Sequence, residues 1–358
     1  MASKEKNDSP MQDLFPPLTL RVGHYLLELL ILGLAVHLIL PQLTALENSL
    51  KVISSMNRWI FMLAVVAQIA SYLEYGYLLR ACVAIARQEL SILWGTLIAL
   101  AASSIGLIAG GTLGNSAATY HWTRALGVNR QGAVQAGTLP TAFNNAILLF
   151  VAFLGVAYLL IMHELSKAQI IAFILILIFI GALIIIVLWG NAHRVQLISV
   201  VGKVSISWEN LKRKPHTSTS SETLRRLFDS LDRLKEDGWK RPVLGSALSI
   251  GFDIMTLYLI FLAAGYNVSI GILLAGYGLP ILFGKMAFLI PGGVGIVEGS
   301  MAALYNVMGV PIPITVVVIL IYRIVSFWIP SILGFPVAFY LQRLALKMKQ
   351  NDELDGKD

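Results

Sequence analysis

One cysteine, Cys82, occurs in 358 residues, so neither an intrachain disulfide nor a cysteine-based metal site can form. Charge is scarce too. Asp, Glu, Lys and Arg make up 13% of the residues, about half the share of an ordinary soluble domain. His24, His37, His121, His163, His193 and His216 share no metal-ligand spacing. No glycine-rich run ends in Lys-Ser or Lys-Thr, which removes an ATP-binding loop. Gly293-Val294-Gly295 follows an apolar segment rather than a strand and lacks a third glycine in place, so it is no dinucleotide fingerprint. The expectation is therefore no cofactor, no metal and no enzymatic activity. Any transport would run on a gradient or as passive equilibration.

What is present is apolar. Hydrophobic residues reach 57% and the mean hydropathy is +0.75, a composition that calls for many membrane spans. Windows of about 20 residues give eight segments: Tyr25–Leu40, Trp59–Leu79, Ile92–Ile108, Gly137–Met162, Ile170–Trp189, Val243–Ala264, Ile270–Phe288 and Pro313–Tyr340. The first follows a polar stretch without a small-residue cleavage site, so it reads as a retained span.

The net charge of +7 lies mostly in loops. This is a topology signal rather than a nucleic-acid footprint. Between the fifth and sixth segments, residues 191–241 hold eleven Lys and Arg. Within this loop Thr219 and Glu222 form a capping box, Gly238 closes the helix, and Leu224, Leu227, Leu231 and Leu234 make an apolar stripe. Such a helix suits anionic headgroups at the membrane surface or the mouth of the bundle.

An internal repeat organises the rest. A shift of 182 residues carries Gly110-Gly111 onto Gly292-Gly293 and Gly127-Val128 onto Gly309-Val310. It also superposes Trp59–Leu79 on Arg241–Phe261 and Gly137–Met162 on Ile319–Leu344. Lys4, Lys6 and Arg21 precede the first segment, Arg80 and Arg87 follow the second, eleven Lys and Arg fill the middle loop, and Arg343, Lys347 and Lys349 close the chain. Eight simple crossings cannot keep all four groups in the cytoplasm. About six crossings with two re-entrant hairpins can.

The expected fold is thus an all-α polytopic membrane protein with an inverted repeat. Its parts are a cytoplasmic tail (1–20), a first membrane half (21–190) with a hairpin near 91–125, and a cytoplasmic loop (191–241). A second half (242–345) follows with a hairpin near 270–308, then a cytoplasmic tail (346–358). The first hairpin opens to the cytoplasm and the second to the exterior, which places Arg124 and Asn306 on opposite sides.

Six ionisable residues interrupt apolar surroundings: Glu28, Glu74, Asp253, Lys285, Glu298 and Arg323. A charge at the bilayer centre costs roughly 2.5–3.5 kcal/mol on insertion scales, so each needs a partner or a wet cavity. Two readings stand for Glu298 and Arg323: an internal ion pair, with Asp253 as the other candidate partner of Arg323, or direct ligand contact. Arg323 has the planar donor fork that phosphate prefers. Glu298 can orient that arginine or accept from an amine. Lys285 can attract an anion or snorkel to the interface. Pro291, Gly292, Gly293 and Gly295 supply an irregular turn at membrane depth, which persists only where protein or water surrounds it.

Pro291-Gly292-Gly293-Val294-Gly295 with Glu298, then Gly309-Val310 and Tyr322-Arg323, resembles the transmembrane flippase region of the lysylphosphatidylglycerol synthase/flippase proteins and their stand-alone relatives. The resemblance covers roughly residues 20–345. It implies a plasma-membrane protein that moves a lipid between leaflets, in the best-known members an aminoacylated phosphatidylglycerol. It also implies that Pro291, Gly292, Gly293, Gly295, Glu298 and Arg323 match the family's site. Two departures stand out. In the first repeat Ala109 and Asn115 occupy the neighbourhood where a Pro-Gly-type turn followed by an acid is usual, and no synthase-like soluble domain is read before Asp358.

The leading expectation is a flippase for a phospholipid or lipid-linked headgroup, as a single chain or a homo-oligomer. The competing ones are a membrane-embedded enzyme and an accessory subunit of lipid or polyprenyl-glycan metabolism.

Overall fold

The computed structural model describes residues 46–108, 111–162, 238–286 and 291–355, with isolated positions between 170 and 181. Two units divide at Glu47, and the helices from Arg58 onward all belong to the second. The first apolar segment with Glu28, and the loop helix near Thr219, lie outside the described residues.

Every described element is helical. A short α1 (Leu46–Ser55) precedes α2 (Arg58–Ala84), α3 (Ile92–Ile108), α4 (Thr112–Ala125) and α5 (Arg130–Met162). Then come α6 (Lys240–Ala263), α7 (Ile270–Met286), a 3₁₀ turn at Pro291–Gly293, and α8 (Ile296–Val307). Last are α9 (Ile312–Arg323), a π turn at Ile324–Trp328, and α10 (Ile329–Asp355). Four stretches are long and apolar enough to cross a membrane: Arg58–Ala84, Arg130–Ile161, Lys240–Ala263 and Ile312–Leu346. By contrast α4, with 14 residues, and α8, with 12, reach only about 20 Å at 1.5 Å per residue. A hydrocarbon core is about 30 Å thick.

Large apolar side chains lie on the outside of the bundle as well as in its core. On α2, Met62, Leu63, Val66 and Ile69 are exposed, whereas Ala64, Ala67, Gln68 and Ser71 are buried. Trp59 is 78% exposed. Over this stretch of α2 small and polar residues face neighbouring helices and large apolar ones face outward, as expected where lipid is the solvent.

Helices α2 and α6 form the central pair and run antiparallel. The Asn57 N–H donates to the Ala263 carbonyl at one end. In the middle, Ser71 and Ser249 exchange bonds, each hydroxyl donating to the other's carbonyl at 2.8 and 3.0 Å. Glycine permits the tightest crossings elsewhere. A Cβ on Gly95 would lie 2.5 Å from the Gly76 carbonyl, where α2 meets α3. A Cβ on Gly278 would lie 2.8 Å from the Ala152 backbone, where α7 meets α5, and one on Gly334 would strike Leu100 and Ser104, where α10 meets α3. Thus α3 packs on the long helix of the second half, and α7 on that of the first.

Element boundaries repeat along the chain. The starts of α6 and α9 lie 182 residues after those of α2 and α5, and α8 ends 182 residues after α4. Backbone angles follow: Gly111 and Gly293 have φ of 61° and 62°, Gly127 and Gly309 have 86° and 83°.

Candidate functional site

The second glycine turn joins α7 to α8. Gly292, Gly293 and Gly295 have φ of 64°, 62° and 85°, a left-handed backbone that side chains disfavour. Space imposes the same choice, because a Cβ on Gly292 would sit 2.1 Å from the Phe327 ring and one on Gly293 2.8 Å from the Gly284 backbone.

Glu298 stands in the first turn of α8, where a carboxylate suits the positive end of the helix. Its Oε2 accepts from the Gly295 N–H at 2.6 Å. Its Oε1 accepts from Arg323 Nε at 2.5 Å. Arg323, 7% exposed, spends a second donor on the Gly292 carbonyl, 3.0 Å from Nη2. Its guanidinium also lies over the Phe327 ring, 4.3 Å from the centroid. One arginine therefore holds both sides of the turn. Of the two readings of Glu298 and Arg323, internal pairing is the arrangement observed, and Asp253 is not the partner.

Asp253 has different company. Its Oδ2 accepts from the Tyr277 hydroxyl at 2.7 Å and the Tyr322 hydroxyl at 2.8 Å. Tyr322 and Arg323 are neighbours on α9, so one helix end anchors two acids. Lys285 donates to Asn145 Oδ1 at 2.8 Å. Next to Asn145 in the chain, Asn144 accepts from the Ser246 hydroxyl at 2.5 Å.

The first glycine turn joins α3 to α4. Gly111 precedes α4 with no side-chain cap, and its N–H donates to the Gly106 carbonyl at 2.7 Å. A Cβ on Gly106 would lie 2.9 Å from the Gly111 oxygen.

Both turns border one cavity of about 370 Å³. Gly106, Gly111 and Asn115 come from the first turn and its helices. Gly284, Gly292 and Gly293 come from the second. Asp253, Lys285 and Arg323 supply the charge, and Gln68 and Asn144 add amides. Two of the three charged side chains are tied to protein groups through their polar atoms alone, without a carboxylate–cation contact: Asp253 to tyrosines, Lys285 to an amide.

The residues singled out from sequence thus separate into groups. Asp253, Lys285, Arg323, Gly292 and Gly293 meet on the cavity wall. Pro291 opens the 3₁₀ turn and Gly295 precedes α8. Glu298 bonds Arg323 and Gly295 from behind that wall. Glu74 is half-buried on α2 and is not among the cavity's lining residues. Sequence reasoning missed Gln68, Tyr277, Asn144 and Asn145. Their signal was available as amides and a hydroxyl inside apolar runs, which lipid penalises as it does charge.

Comparison with known proteins bears on this arrangement. The sequence model of the family described as the lysylphosphatidylglycerol synthase TM region matches residues 26–334. A UPF0104 membrane protein of Pyrococcus horikoshii is 33% identical over 141 residues, covering 37% of this chain and 38% of its own length. Another from Methanothermobacter thermautotrophicus is 25% identical over 191 residues, covering 52% and 56%. A third, from Methanocaldococcus jannaschii, is 27% identical over 176 residues, covering 48% and 52%. The matches span from under two-fifths to just over half of these relatives' lengths.

Proposed function

The chain belongs to the lysylphosphatidylglycerol synthase transmembrane-region family, and from that premise we propose that it moves a phospholipid, or a related lipid-linked headgroup, between the leaflets of the plasma membrane. The observation that carries this reading is a cavity of about 370 Å³ with Asp253, Lys285 and Arg323 on its wall, inside a bundle that turns many large apolar side chains outward. Ligand pockets run from roughly 300 to 1,000 Å³, so the space suits a headgroup while acyl chains stay in lipid. Hydroxyls, amides and charges at that depth replace the water a headgroup must leave.

The translocation route follows from two hairpins, α3 with α4 and α7 with α8, that enter and return without crossing. Support for this inverted arrangement comes from the 182-residue recurrence of element ends, the matching φ of Gly111 and Gly293, and the antiparallel pairing of α2 with α6. Opposite halves rocking about a central site would expose the cavity to each leaflet in turn. In this reading Arg323 and Glu298 keep the second turn in shape, while Asp253 and Lys285 face the headgroup. The lipid leaves with every covalent bond it had on entry, so the protein acts as a transporter rather than an enzyme. Aminoacylated phosphatidylglycerol is one member of the substrate class.

The test is the full-length protein in liposomes carrying a headgroup-labelled phospholipid in the inner leaflet. The label should reach the outer leaflet at least tenfold faster than in protein-free vesicles, with the lipid chemically unchanged. An altered lipid would favour an enzyme, and no acceleration with any phospholipid would end the translocation reading.

A further inference from the structure

The two glycine turns differ in one respect that bears on where an anion sits. At the second, α8 begins against its own carboxylate, Glu298, which accepts from the Gly295 N–H. At the first, α4 begins at Thr112 after Gly111, with no side-chain cap and no acid in its first turn. With 14 residues, α4 has a developed dipole and first-turn N–H groups without carbonyl partners inside the helix. Gly111, Thr112 and Asn115 line the cavity.

We infer that this end of α4, together with Lys285 on the same cavity, is the site for a phosphate group. The lipid part of the assignment rests on the translocation reading. Among the described residues Lys285 donates to the Asn145 amide oxygen and not to a carboxylate, so no acid is bonded to its ammonium. Arg323 is the weaker candidate. Its Nε is neutralised by Glu298 and its Nη2 is held by the Gly292 carbonyl. A guanidinium so committed shapes the turn, whereas a lysine held by an amide and a helix end without a side-chain cap receive an anion.

A second, independent feature points to a ligand in the same space. Gln68 is 5% exposed and lines the cavity, yet its Oε1 has no hydrogen-bond partner among the described residues. A buried amide oxygen without a donor is unfavourable, and a donor on the bound molecule would satisfy it. Phosphate at α4 and a hydroxyl or ammonium near Gln68 together describe a phosphodiester headgroup with a hydrogen-bond donor. The missing acid of the first repeat then has a physical meaning. A carboxylate at that turn would occupy the helix end and repel the phosphate.

Asn115→Asp tests this, because it adds a carboxylate to the first turn without changing side-chain shape. The oxygen that Thr119 reaches at 3.5 Å is retained. Purified full-length protein in detergent would be titrated with short-chain phosphatidylglycerol, with inorganic phosphate alone, and with a galactolipid lacking phosphate. The readout is the rise in Tm. For wild type, phosphatidylglycerol should raise Tm and the galactolipid should not.

Asn115→Asp should keep or raise the ligand-free Tm and need at least tenfold more phosphatidylglycerol for the half-maximal shift. Lys285→Ala should weaken binding to a similar degree and Lys285→Arg should restore it, which decides the matter should Asn115→Asp impair folding. Stabilisation by inorganic phosphate alone, lost in Asn115→Asp, would support the site with a free anion as its source. Wild-type affinity in both Asn115→Asp and Lys285→Ala, or equal response to the galactolipid, would overturn the inference. Phosphatidylglycerol that binds here without moving between leaflets would leave the site standing and defeat the translocation reading.

Discussion

Arg323 and Glu298 lie 25 residues apart and on different helices, yet they meet at 2.5 Å across the glycine turn that separates α7 from α8. The contact is one member of a closed set. Glu298 also takes the Gly295 N–H, and Arg323 also holds the Gly292 carbonyl. Each side chain is thereby fixed by the turn it stabilises. The side chains are 9% and 19% exposed, so solvent screens the pair weakly.

Removing one partner leaves a charge without compensation. Arg323→Ala should cost on the order of 3 kcal/mol, and Glu298→Gln should cost less, since an amide oxygen still accepts from Gly295. The double change, Arg323→Ala with Glu298→Gln, should be less harmful than the sum of these two single changes, with a coupling of about 1–3 kcal/mol. Unfolding of the four proteins in the same detergent gives the cycle. Strict additivity would mean that the pair contributes nothing to the turn. In the vesicle assay, Glu298→Gln and Arg323→Ala should both abolish translocation while the protein still inserts; full activity in both would remove these residues from the site.

Gly292 offers a test in which strain and space act together. Alanine would have to adopt a φ of 64° and place its methyl group 2.1 Å from the Phe327 ring. The backbone alone disfavours the change by roughly 1 kcal/mol or more, and the clash adds to that. Gly292→Ala should therefore lower Tm, and Phe327→Leu in the same chain should recover part of the loss by relieving the clash. The strain would remain. No recovery would show that the backbone conformation alone decides the position. Recovery to wild-type Tm would show that only the ring matters.

The turn itself was legible in the sequence because glycine clusters have a short list of physical causes. Helix starts at Arg58 and Lys240 were legible within a few residues as well, since a basic residue marks where an apolar run leaves the interface. The pairings were another matter. Arg323 had two candidate acids by composition, and spacing along the chain cannot rank Glu298 against Asp253. What decided between them is that Tyr277 and Tyr322, 24 and 69 residues from Asp253, already occupy its Oδ2. Likewise Lys285 and Asn145 are 140 residues apart, and only the antiparallel packing of α7 on α5 brings them together. A charge count also misses Gln68 and Asn144, which carry none, although they line the same cavity as the ions.

The hairpin arrangement makes a claim about sidedness that no contact inside the protein can replace. If α3 and α4 form one re-entrant unit and α7 and α8 another, the end of α4 near Arg124 faces the cytoplasm and the end of α8 near Asn306 faces the exterior. Helix lengths favour this, since α4 and α8 reach only about 20 Å, short of a hydrocarbon core of about 30 Å. Cys82 is fully buried and is the sole cysteine of the chain, so a Cys82→Ala background lets single cysteines be placed at Arg124 and at Asn306. Both positions lie at helix ends and are exposed. In sealed right-side-out vesicles, an impermeant maleimide should label the Asn306→Cys protein at once and the Arg124→Cys protein only after permeabilisation. Labelling of both from the same side would leave the hairpins unable to point in opposite directions, and the cavity could not then serve the two leaflets by the rocking of inverted halves.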